Sequence, residues 1–149
     1  MSIEEKTVET AQNYADRSEE DLLMLLARQE VVIKSDPAKA EDPTLDPSYE
    51  SAGMPAEALR AIGKKIMRRW NQSLFELICK QKDDKNRQKL IEAAGIGETA
   101  LIGAVASVLL TLTSPAIAAA AAAIIVKHFL VPAGGVVCDA WEEAIALDG

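Results

Sequence analysis

Residues 99–126 read TALIGAVASVLLTLTSPAIAAAAAAIIV, 28 residues without one charge, interrupted only by Ser114-Pro115. Serine before proline starts a helix. The hydroxyl can accept an amide proton of the next turn, and the N–H that proline lacks is one no helix uses at that point. Proline also disfavours helical geometry at Ser114, so the preceding helix should stop near Leu112 or Thr113. Two helices of about 15 residues, each roughly 22 Å long, follow from a rise of ~1.5 Å per residue. A bilayer core takes ~20 apolar residues over ~30 Å. Neither helix is long enough alone, so residues 99–130 read as the buried hairpin of a helical bundle. A helix apolar on every side belongs in such a core.

The competing reading is a single kinked helix from about Leu101 to Val126, which is long enough to span and whose proline lipid would tolerate. Ten Lys and Arg lie between Arg60 and Lys89, and only Lys127 is basic after Val126. That asymmetry would hold the N-terminal side in the cytoplasm. Against it, the second half is mostly alanine, which gives little drive into lipid. Alanine is, however, the strongest helix former and lets neighbouring backbones approach closely. Helix length and the Ser-Pro chemistry favour the hairpin.

Around the hairpin, the chain fits an all-α fold, a small bundle of about six or seven helices. Its 149 residues can bury a substantial core without staples. Hydrophobic residues make up 49% and aromatics only 4%, so that core is aliphatic and alanine-rich. No sustained alternation marks a strand. Ser2-x-x-Glu5 and Ser18-x-x-Asp21 are helix-start boxes, opening one helix to Tyr14 or Ala15 and a second through Leu22, Leu26 and Ile33. These form an acidic helical pair over 1–34. Residues 35–54, with Pro37, Pro43 and Pro47, read as an acidic loop or linker that Leu45 and Tyr49 would anchor. Residues 55–149 carry the rest of the bundle, and the whole reads as one compact domain.

The third helix should run from Pro55 to about Lys80. At 100° per residue, Leu59, Ile62, Ile66, Met67, Trp70, Leu74, Leu77 and Ile78 share a face. Lys64, Lys65, Arg68 and Arg69 lie opposite and form the candidate interaction face. Gly63 falls within the apolar stripe, a close-packing position for another backbone, with the alanine-rich helix after Pro115 as the expected partner. After a polar break at Lys82-Asp83-Asp84-Lys85-Asn86, a short helix from Lys85 to Ala94 should end on Gly95 as a left-handed cap. Pro132 and Gly134-Gly135 precede a last amphipathic helix, with Val136, Val137, Ala140, Trp141, Ala144, Ile145 and Leu147 inward.

Net charge is −7, but it is unevenly spread. Residues 1–57 carry 14 acids and five bases, residues 58–92 ten bases and four acids, and residues 93–149 five acids and one base. Docking of the acidic part on the basic middle explains this most simply, with little stability from each exposed pair. Nucleic-acid binding needs a basic domain with stacking or base-reading side chains; here the chain is acidic and Trp70 is on the core side. An anionic membrane or an acidic protein partner fits the basic face better.

Catalytic signatures are thin. His128, the single histidine, could pair with Cys138 as base and nucleophile, but no third group orients them. A histidine meeting carbonyls at a helix C-terminus is the plainer account. His128, Cys138, Asp139 and Cys79 lack zinc-type spacing, and Gly95-Ile96-Gly97-Glu98 has neither the lysine nor the strand of a phosphate loop. No metal, cofactor or enzymatic activity is implied. Two cysteines are too few for a disulfide framework, and the acidic N-terminus has no apolar leader, so a reducing cytoplasm is the expected compartment. The expected function is non-enzymatic: a protein-interaction or structural module, possessing a protein partner or self-associating, that acts through the basic helix face or the acidic loop. The alternative is a membrane-active effector that pores or anchors through the 99–130 hairpin.

Overall fold

A computed structural model describes residues 1–81 and 84–148 of the chain. Lys82 and Asp83, half of the expected polar break, lie outside the described residues. Seven helices of eleven residues or more, with one single-turn helix, build an all-α bundle, and no strand occurs among the described residues. They are α1 (Ile3–Asn13), α2 (Glu19–Ser35), the single turn α3 (Tyr49–Ala52), α4 (Ala56–Phe75), α5 (Asp84–Ile96), α6 (Glu98–Leu109), α7 (Pro115–Ile125) and α8 (Cys138–Asp148).

The first two helices start where their sequence boxes place them. The Ser2 hydroxyl accepts from the Glu5 amide and the Ser18 hydroxyl from the Asp21 amide, each at 3.1 Å, satisfying a donor that the first turn leaves free. α4 continues through a π turn, Glu76–Lys80, so the apolar stripe persists to Ile78 as expected.

The hairpin is the core of the bundle. Every residue of α7 is buried, walled by α1, α2, α4 and α6. Its alanines let four neighbours approach one helix, because a methyl side chain keeps interaxial distances short. α6 ends at Leu109, a turn earlier than Leu112, and tightening bonds from Thr111, Leu112 and Thr113 to Val108 and Leu109 close the connection. Ser114 takes the extended N-cap conformation, but its hydroxyl caps no amide. α7 runs on through a second π turn, Val126–Leu130. No helix among the described residues is long and apolar enough to cross a membrane.

Other expectations are corrected by the packing. Gly63 does accept a neighbouring backbone, but that of α2 rather than α7: an added Cβ would lie 1.9 Å from the Leu23 carbonyl oxygen. α5 does not stop at Gly95. It continues to Ile96, and Gly97, at φ +155°, turns the chain into α6. The loop over 35–54 is held by α2: the buried Arg28 donates to the Pro47 carbonyl and pairs with Asp46, and Gln29 donates to the Leu45 carbonyl. Its buried anchors are Ala40 and Pro43, whereas Leu45 is half-buried and Tyr49 exposed. On α8, Trp141 is fully buried, donating to Asn71 Oδ1 at 3.0 Å and meeting Phe75 edge to face, but Leu147 points outward, as does Val137 just before the helix. The two cysteines, expected to be free, are joined: Cys79 in the π turn after α4 is bonded to Cys138 at the start of α8.

Candidate functional site

The basic face of α4 divides in two. Lys64, Lys65, Arg68 and Arg69 are all exposed. Arg68, however, is committed to the end of α8, donating to the Asp148 carboxylate at 3.0 Å and to its backbone oxygen at 2.8 Å. Asp148 also lies 2.8 Å from His128 Nε2, and His128 Nδ1 lies 3.2 Å from a Glu19 oxygen. The Glu19–His128–Asp148–Arg68 chain thus links α2, the π turn after α7, α8 and α4. Burial disfavours the imidazolium, but the hydrogen bonds and charges of Asp148 and Glu19 outweigh it and raise the His128 pKa above 6.5. Burial likewise opposes the Asp148 carboxylate, and the bonds from His128 and Arg68 prevail, holding its pKa below 3.8. The expectation that His128 meets helix-end carbonyls is therefore replaced by a carboxylate bridge.

Lys64, Lys65 and Arg69 are different. Among the described residues no carboxylate lies within ion-pair distance of any of them. Arg69 stacks on Trp70, its guanidinium carbon 4.8 Å from the ring centre. Lys65 and Arg69, one turn apart, form the lip of a groove between α4 and α2, and Lys34 of α2 stands across from them. Val31, Met54, Ile62 and Ile66 line this cavity of about 480 Å³. A second cavity, of about 270 Å³, shares Glu30, Lys34, Ile66 and Arg69 with the first and reaches the α6–α7 connection at Thr113 and Ser114. The site is therefore an apolar trough bordered by three cations and one carboxylate. Sequence periodicity placed Lys65 and Arg69 opposite the stripe. It gave no sign of Lys34, which the α2–α4 packing brings to the same opening.

The expected acidic–basic docking occurs only in part. Arg60 pairs with Glu20, but the loop carboxylate Asp46 is taken by Arg17 and Arg28 from the N-terminal half itself. A further polar cluster has no signature in the sequence. The Lys89 ammonium donates to Ser107 Oγ at 2.7 Å, and that hydroxyl donates to Glu4 at 3.0 Å. A lysine beside a serine is a nucleophile arrangement in some hydrolases. Here Ser107 sits within α6, where neighbouring amides serve the helix and do not converge on an oxyanion. The cluster ties α5 and α1 across α6. No group of three or more potential metal ligands occurs among the described residues, and the disulfide leaves neither Cys138 nor Cys79 as a thiol. The sequence matches no protein family, and no curated protein or solved structure shows significant similarity to it.

Proposed function

We propose that this protein is a non-enzymatic helical interaction module whose working edge is Lys64, Lys65 and Arg69 of α4, and whose partner is a protein segment bearing carboxylates beside apolar side chains. The observation that carries this reading is a mismatch of charge. The chain holds 23 acids for 16 bases, and Arg17, Arg28, Arg60 and Arg68 have carboxylate partners; several cations have none among the described residues, but Lys64, Lys65 and Arg69 are the ones that stand together on one exposed helix beside an apolar trough. An acidic segment complements them, and the apolar trough beside them accepts its hydrophobic side chains, as helix-in-groove recognition requires. The acidic loop is the weaker candidate, because Arg28 and Gln29 hold its backbone down.

A synthetic amphipathic helix with glutamates along one face and leucines along the other is a direct probe, with its Glu→Gln counterpart as control. The glutamate peptide should bind in low salt, and the Lys64→Glu/Lys65→Glu variant should bind it about tenfold or more weakly with an unchanged melting temperature. Equal binding by wild type and variant, or by both peptides, would remove the role assigned to this edge.

The cysteine pairing bears on location. Disulfides persist in oxidising compartments, which supports such a setting over the cytoplasm suggested by the cysteine count. The membrane-effector reading retains one supporting observation, the complete enclosure of α7 within amphipathic helices.

A further inference from the structure

The smaller cavity, at the inner end of the trough, has a character of its own. Ile33, Ile66, Trp70 and Ile117 give it apolar walls from α2, α4 and α7. Its polar groups are Lys34, Arg69 and the hydroxyls of Thr113 and Ser114, with Glu30 as the one carboxylate. Neither Lys34 nor the Ser114 hydroxyl has a hydrogen-bond or ion-pair partner among the described residues. Arg69 is held against Trp70, which fixes the cation beside an apolar wall.

From this arrangement we infer that the cavity is a binding site for a small aliphatic monocarboxylate. Its carboxylate lies between Arg69 and Lys34 and accepts from the Ser114 hydroxyl, while its tail runs along Ile33, Ile66 and Ile117. Two cations against one carboxylate leave a single positive charge, which matches a monoanion and disfavours a dianionic phosphate ester. The volume, about 270 Å³, is at the small end for ligand pockets and suits a free acid of medium length. A longer tail has an exit, since the larger cavity shares Ile66 and opens towards Ile62 and Met54. The site shares Arg69 with the proposed protein-binding edge but does not depend on that edge having a partner.

The test is calorimetric titration of the full-length protein with sodium octanoate, octanamide and octyl phosphate, followed in parallel by tryptophan fluorescence. Octanoate should bind and raise the melting temperature, and octanamide should bind roughly tenfold or more weakly because it has no charge for Arg69 and Lys34. Octyl phosphate in its dianionic form should also be weaker than octanoate. Lys34→Gln and Arg69→Gln, both at exposed positions, should fold normally and each lose most of the octanoate affinity. Lys64→Gln, outside the cavity, should bind octanoate as wild type does, which separates this site from the peptide-binding edge. Octanoate that fails to bind at millimolar concentration, that binds no better than octanamide, or that ignores the Lys34→Gln/Arg69→Gln double change would overturn the assignment, whatever the acidic peptide does.

Discussion

A methyl group added to Gly63 would sit 1.9 Å from the Leu23 carbonyl oxygen and 2.5 Å from its carbon, both backbone atoms of α2 that cannot rotate away. Gly63→Ala should therefore force the two helices apart and lower stability by on the order of 1–3 kcal/mol, with Gly63→Leu worse still. Urea melts that superimpose on wild type would show that the crossing is looser than these distances imply. The need for a small residue here was legible, because a glycine in an apolar stripe loses helix propensity and must gain elsewhere. The partner was not, since periodicity tells which face of a helix is covered but not by what. His128 illustrates the same gap: its partners Glu19 and Asp148 lie 109 and 20 residues away along the chain. It also gives a signed pH dependence. With its folded pKa above 6.5, the stability it adds is complete below that value and is lost as pH rises through the folded pKa. The Asp148 contribution is complete above 3.8 and is lost as pH falls through its lowered folded pKa. Denaturation midpoints should thus decline as pH rises above 6.5, and Asp148→Asn should flatten the decline. Because the chain has one histidine, its NMR titration reads the pKa directly; a value at or below 6.5 would discard the bridge.

Among the elements, helix starts were better read than helix ends. Ser2 and Ser18 cap as their boxes require, because the capping bond is local and both partners lie within one turn. The Ser-Pro signal at 114–115 located the start of α7, although the hydroxyl does not make the bond. Gly95 reads as a stop, but a helix can pass through glycine, and Gly97 has the backbone geometry that ends α5. The Cys79–Cys138 bond had no local signature whatever. It depends on the π turn after α4 meeting the first turn of α8, and it closes a loop that contains α5 and the entire hairpin. Restricting the unfolded chain over a loop of this length stabilises a fold by roughly 2–4 kcal/mol. Adding dithiothreitol, or replacing both cysteines by serine, should lower the unfolding free energy by about that amount without changing the helical spectrum. An unchanged urea midpoint under reduction would mean that the packing of Trp141 and the Asp148 contacts to Arg68 and His128 hold α8 without help from the disulfide.

For the molecule as a whole, the decisive choice was whether residues 99–130 are a core or a membrane segment. The uncharged stretch with its central Ser-Pro foretold the hairpin, and the enclosure of α7 gives that hairpin its surroundings. α7 is 11 residues and its π turn adds five, roughly 24 Å of helix against the ~30 Å of a bilayer core. α6, at 12 residues, is shorter. Ala120, with no exposed surface, tests what this enclosure is for. Ala120→Asp would place a carboxylate among methyl groups with no partner, so the mutant should either unfold or hold the acid neutral by a raised pKa. The wild type should cause no leakage from anionic vesicles at neutral pH, oxidised or reduced, because releasing α7 would expose the core around which the other helices fold. Reduction is the sharper half of the experiment, since it removes the one covalent closure of the loop that holds the hairpin. A folded Ala120→Asp protein without leakage activity, beside a reduced wild type that permeabilises vesicles, would replace the interaction module by the membrane effector. Loss of the fold in the mutant and intact vesicles in both wild-type states would leave the hairpin as the scaffold that presents α4.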